Sequence, residues 1–158
     1  MTEHAAIEVR PCQLADVAVL TAAEPPGGRL AEVFFERQQA GGVVYLVGWL
    51  EGMPVGTGVV VTGERPELKN LQVRKEFRGR GVGRAIVAEA EDEVRESGLL
   101  VIGVGLDNPA ARRLYERLGY RPTGRISTCT YRFIDETGIE RETTETSEDL
   151  QKVLTPVG

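Results

Sequence analysis

LQVRKEFRGRGVGR, residues 71–84, decides how the chain is to be read. An apolar strand ends at Val73, a basic turn follows, and glycines at 79, 81 and 83 lead into an apolar-periodic helix that opens near Val82. Main-chain N–H groups in the first turn of a helix have no intrahelical partner, so this opening is a ready anion site. Arg74, Lys75, Arg78, Arg80 and Arg84 crowd the same turn. The pattern suits a phosphate or pyrophosphate held by main-chain donors and ringed by guanidinium groups.

Spacing narrows the choice among phosphate loops. A P-loop needs a Lys-Ser or Lys-Thr pair after its glycines, and none follows here. The dinucleotide fingerprint G-x-G-x-x-G, started at Gly79, requires a glycine where the chain has Arg84. What remains is R-x-x-G-x-G from Arg78 to Gly83, after a strand and before a helix. This loop resembles the signature of the GNAT superfamily of acetyl-CoA-dependent N-acyltransferases, in which it grips the coenzyme A pyrophosphate. Taken alone, it fits a glycine-rich connector with solvated arginines equally well.

A second motif adds weight. Asn108-Pro109 opens a further helix, with asparagine suited to the N-cap and proline to the first helical position. Ala111, Leu114, Tyr115 and Leu118 follow at i, i+3, i+4 and i+7, and Gly119 stops it. NPAARRLYERLGY, residues 108–120, resembles the family's second signature, N-x-x-A-x-x-L-Y-x-x-L-G-F/Y. Both motifs stand in the family's order, and the resemblance is specific from Glu67 to Tyr120.

Length and composition agree with a single globular domain. The chain has 158 residues, enough for one domain with a sizeable core, and no linker or repeat divides it. No basic segment followed by an apolar run opens it, and no apolar stretch approaches a membrane span. Cytoplasmic residence is the expectation. Against 24 acidic residues stand 19 basic ones, which disfavours a nucleic-acid partner and makes the basic turn a local island. Cys12 and Cys129 are far apart, form no CxxC, and read as reduced, packed thiols without a disulfide or zinc role. His4 is the only histidine and lies in a tail, so triads and multi-histidine metal sites are excluded and no metal is expected.

The remaining elements follow from pattern. Strands are predicted at Ile7–Arg10, Val43–Leu50, Pro54–Thr62, Glu67–Val73, Leu99–Leu106, Ile126–Ile134 and from Ile139 to about Thr144. Helices are predicted at Gln13–Ala23, with Leu14, Val17 and Leu20 inward, at Leu30–Gln39, and at Val82–Ser97. Glu51-Gly52-Met53 reads as a tight hairpin, and Leu99–Leu106 as a central strand with no wet face. A strand, helix and strand from Glu67 to Leu106 form a right-handed crossover with parallel strands. The expected fold is α/β (α+β), a single domain over residues 1–158 with about four helices on a mixed sheet of about six to seven strands. From about residue 146 the tail reads equally as a short helix, a paired strand or a flexible end.

The resemblance implies two splayed parallel central strands, here Leu71–Val73 and Val101–Val104, with acetyl-CoA as co-substrate. Leu71, Gln72 and Val73 would then meet the pantetheine arm, and Arg78, Gly79, Arg80, Gly81, Val82, Gly83 and Arg84 the pyrophosphate. Asn108 and Tyr115 would also contact the coenzyme, and Tyr115 matches the family's general acid. By periodicity alone, Tyr115 is a core tyrosine. Glu67 is the candidate base for an amine that is cationic at neutral pH. Phe34 and Phe35 read as core, although in the family that region covers the acceptor. The function implied is transfer of an acetyl group to a primary amine by direct attack in a ternary complex. A non-catalytic acyl-CoA-binding module and a nucleotide-binding module are the alternatives. The acceptor is not legible, and a homodimer is left open.

Overall fold

The structure is a computed structural model and describes residues 6–155, so His4 lies outside the described residues. The strands are β1 (Glu8–Pro11), β2 (Val43–Leu50), β3 (Met53–Val61), β4 (Glu67–Val73), β5 (Leu99–Gly105), β6 (Arg121–Ile134) and β7 (Glu140–Val153). The helices are α1 (Leu14–Ala22), α2 (Leu30–Ala40), α3 (Val82–Glu93) and α4 (Pro109–Arg117). One seven-stranded sheet runs in the order β1-β2-β3-β4-β5-β7-β6. All neighbours are antiparallel except β4 and β5, the pair joined through α3.

Alternation along β2 sends Val44 and Leu46 to one face and Tyr45, Val47 and Trp49 to the other. The first face meets α3 and α4; its core includes Ile86, Ile102, Tyr120 and Leu150. The second meets α1 and α2 through Leu20, Ala31 and the half-buried Phe34 and Phe35, with Phe34 5.4 Å from the Tyr45 ring. The reading of Phe34 and Phe35 as core therefore holds. The predicted stripe Val82, Ile86 and Ala90 on α3 is buried, as is Val94 at its C-cap. The helix sits tightly on β3. A Cβ on Gly56 would stand 2.7 Å from Val82 Cγ1, and one on Gly58 3.0 Å from Ile86 Cγ2. The glycines of PVGTGVVV let a helix approach the sheet.

Several expectations are corrected. The α-helix from Val82 stops at Glu93, and a 3-10 turn over Arg95–Ser97 carries the chain to left-handed Gly98. Leu14 is exposed, because the inward face of α1 is carried by Asp16 and Leu20. Glu51 and Gly52 both take positive φ and make a two-residue turn, so Met53 already belongs to β3. Cys12 is buried but Cys129 is exposed, since no layer covers β6. The largest difference is the C-terminal region. β6 begins at Arg121, before the predicted Ile126, and β7 runs past Thr144 to Val153. The stretch from 146, which by pattern alone could be helix, strand or frayed end, is the strand between β5 and β6, with Leu150 fully buried. Its polar residues obscured that role because only one of its faces is packed.

Asp16 ties β1 to α1. Its carboxylate accepts hydrogen bonds from Arg10 Nη1 at 2.6 Å and from the Gln13 N–H at 2.8 Å, and the same guanidinium lies 4.9 Å from the Trp49 ring. Burial opposes the charge, yet Arg10 and the Gln13 N–H hold the Asp16 carboxyl below its usual range. Asp16→Asn should cost about 2 kcal/mol, read as a lower urea midpoint with unchanged slope. The wild-type advantage should be complete above the unfolded-chain pKa of about 3.9 and vanish as pH falls through the lower folded value.

Candidate active site

β4 and β5 pair only at Glu67 with Val101 and Leu68 with Ile102. Beyond that the strands part. On the other side of β4 the ladder to β3 is broken between Thr57 and Val59, where Asn70 takes a φ of 53°. The irregularity turns β4 away from β5. Leu71, Gln72 and Val73 therefore border a gap, with β3 on one side only.

The basic turn lies at the end of that gap. The Arg74 N–H donates to the Val55 carbonyl at 2.9 Å and Arg74 Nη1 to the Pro54 carbonyl at 3.3 Å, fastening the strand exit to β3. Arg78 Nε donates to the Val73 carbonyl at 3.3 Å, and the Arg80 guanidinium stands 5.4 Å from the Phe77 ring. Lys75 and Arg84 are exposed. Three of the five cations thus also brace the turn. Gly81 is the N-cap of α3 in the left-handed region, with φ 87°, and gives no side-chain cap. No acidic residue occupies the first turn. A Cβ on Gly79 or Gly81 would meet nothing within 4 Å, so open space faces the turn. The cradle fits a diphosphate: uncapped donors, positive charge and room. Gly83 differs, because its Cβ would stand 3.5 Å from Leu114 Cδ2 and 3.9 Å from Val73 Cγ2. It marks where α3, α4 and β4 meet.

Two further candidates come from α4. The Asn108 side-chain oxygen accepts from the Ala111 N–H at 3.1 Å, the predicted N-cap, which leaves its amide donors for a ligand. Tyr115 is buried in the α3/α4 core with its ring 6.4 Å from that of Tyr120, and burial alone pushes its phenol upward. Tyr120 is itself held, donating at 2.8 Å to Glu91, which Lys152 Nζ reaches at 3.1 Å. Tyr115 thus has both a core position and a phenol that stays protonated.

Glu67 lies on the opposite face of the sheet, half-buried, at the closed end of the β4/β5 pair. Lys69 Nζ stands 3.7 Å from one of its oxygens, and the other lies 3.6 Å from where a Gly103 Cβ would be. From the other side, Asp149 Oδ1 comes to 3.7 Å and Ser147 Oγ to 3.8 Å of the same point. Asp149 is in register with Gly103, the first β5 residue beyond the last β4/β5 pair. Sequence reasoning missed Asp149 because β7 was not recognisable as a central strand. The signal available was Gly103 and Gly105, two positions apart in LLVIGVGL, which opens one face of a strand that otherwise reads as packed on both sides.

The comparisons follow this geometry. The family model described as Acetyltransferase (GNAT) family matches residues 14–120. The chain belongs to that family. A putative acetyltransferase of Bacillus subtilis is 32% identical over 78 residues, 49% of this chain and 52% of that protein. The chain thus spans about half the length of this curated relative. A ribosomal-protein-alanine N-acetyltransferase from Brucella melitensis superposes with a TM-score of 0.65 at 23% identity, covering 93% of this chain and 99% of that one. A putative acetyltransferase from Salmonella typhimurium, solved with its cofactor acetyl-CoA, gives 0.65 at 20% identity over 97% and 96%. At these identities the structures support the fold.

Gly81→Glu should abolish coenzyme A binding in calorimetry, because it adds a side chain and negative charge to the cradle and strains a left-handed position by about 1 kcal/mol. Retained micromolar affinity would remove residues 78–84 from the site.

Proposed function

We propose that this GNAT-family chain is an N-acetyltransferase that moves an acetyl group from acetyl-CoA to a primary amine by direct attack in a ternary complex. The observation that carries the reading is the parting of β4 and β5 between the glycine cradle on one side and carboxylates on the other. Acetyl-CoA, when bound, supplies an acyl group activated as a thioester. Residues 78–84 would bind its diphosphate, and Asn108 a polar group of the same molecule. The main chain of Leu71–Val73, which borders the gap, would donate hydrogen bonds along the arm and to the carbonyl oxygen as it gains charge.

The two faces of the sheet divide the proton work. The acceptor enters on the face of Glu67 and Asp149 as a cation with a pKa near 10.4. A carboxylate there, acting directly or through water, takes its proton and releases the nucleophilic lone pair. On the α3/α4 face Tyr115 keeps its proton because burial disfavours the phenolate, and Oη can hand it to the departing sulfur. Proton removal and proton donation are thereby separated by the sheet.

Tyr115→Phe should lower turnover about 100-fold while coenzyme affinity changes less than about threefold, measured by free-thiol release over an amine panel and by calorimetry. Equal turnover would return Tyr115 to a packing role. Absence of thiol release with every amine of the panel, alongside tight coenzyme binding, would favour the binding-module reading.

A further inference from the structure

β6 is the last strand of the sheet, so one side of it has no neighbour. β5 ends at Gly105, opposite Ser147, so from Glu140 to Glu145 β7 has β6 alone and the two form a ribbon without a third strand. Such a ribbon is marginal in water. Every β6 residue from Ile126 to Phe133 is exposed, the apolar Ile126, Tyr131 and Phe133 among them. ISTCTY, residues 126–131, holds no charge, proline or glycine, the devices that blunt an open edge. Arg132, the charge that follows, is turned back to β7, 3.4 Å from Glu140 and 3.6 Å from Glu142.

The direction of the main chain shows what this edge can accept. The Asp135 N–H donates to the Ile139 carbonyl at 2.9 Å, and this pair continues the β6/β7 register. Hydrogen-bonded pairs alternate along an antiparallel ladder, so the odd-numbered residues of this stretch bond to β7. Ile126, Thr128, Thr130, Arg132 and Ile134 therefore turn N–H and C=O to the open edge. The hydroxyl contacts Thr128–Thr146 at 3.2 Å and Thr130–Thr144 at 2.8 Å agree, because side chains come closer in pairs that share no main-chain bond.

We infer that the chain is a homodimer in which the β6 edges of two copies pair antiparallel about a two-fold axis at Thr130, joining two sheets into one. This register uses all five outward residues. Thr130 pairs with itself, Thr128 with Arg132 and Ile126 with Ile134, giving about ten main-chain hydrogen bonds, as many as a standard interface carries. It also complements charge. β6 has three arginines and no acidic residue, and the same pairing sets Arg125 against Asp135 and Glu136 of the other copy at both ends. Arg125 is exposed, with Asp149 only at 3.9 Å, and Glu136 has no ion-pair partner among the described residues. A shift of two residues forfeits about two of these hydrogen bonds and separates the charges.

The test is the oligomeric state of the full chain by sedimentation equilibrium at micromolar concentration, where a dimer is expected. Thr130→Pro removes an outward N–H at the axis from each copy and leaves the β7 ladder intact. It should weaken the dimer about 100-fold, as loss of two hydrogen-bonded contacts implies, while an unchanged circular dichroism spectrum shows the variant folded. Crosslinking reads the register. Tyr131→Cys sets a thiol opposite native Cys129 of the other copy, about 4.5 Å away between Cα atoms, and mild oxidation should give a covalent dimer. Phe133→Cys, opposite Ser127, should give none. If Thr130→Pro does not fold, the two cysteine variants decide alone. A monomeric chain, a dimer that Thr130→Pro leaves unchanged, or crosslinking through Phe133→Cys and not Tyr131→Cys would overturn the inference.

Discussion

The parting of two parallel strands after Leu68 and Ile102 is the constraint on which the rest of this molecule depends. A parallel pair inside a sheet normally satisfies its main-chain groups along its whole length, and orphaned buried donors are costly. Here β4 is turned aside by the irregular ladder to β3 at Thr57–Val59 and by left-handed Asn70. Its far end is retied by Arg74, whose N–H and guanidinium both reach the start of β3. The gap is thus framed by secondary structure on both sides.

What frames the gap also supplies its chemistry. The turn that follows β4 can open straight into α3 because Gly81 accepts a left-handed cap, and α3 can sit near the gap because Gly56 and Gly58 leave room beneath Val82 and Ile86. α4 is brought to the same place by contact of Leu114 with the helix start, which carries Tyr115 along. On the reverse face the insertion of β7 beside β5 sets Asp149 opposite Gly103. Donors, phenol and carboxylates come from elements remote in sequence.

The stretch from Glu67 to Tyr120 was the most legible, because short-range chemistry governs it. Glycines must stand where φ is positive, asparagine and proline where a helix starts, and apolar residues at helical spacing where it packs. The candidate roles of Leu71–Val73, residues 78–84, Asn108 and Tyr115 came from that stretch. The C-terminal third was far less legible. β6 and β7 carry threonine, glutamate and arginine in patterns suited to a solvated ribbon, and only the buried Asp149 and Leu150, with Leu154 just past the strand, betray a central strand. Alternation marks such residues as β-prone but does not name their neighbour.

By itself the sequence determined the order of elements, the glycine turn with its helix, the second helix with its cap, and through those motifs the family. Each of these is a local matter of backbone freedom, capping and periodicity within a few turns of chain. Only the tertiary structure decided that the last strand enters between β5 and β6, where the parallel pair opens, and which carboxylates share a face with Gly103 and Gly105. Those outcomes depend on pairing register between segments far apart in the chain, as with Gly103 and Asp149, which no local propensity specifies.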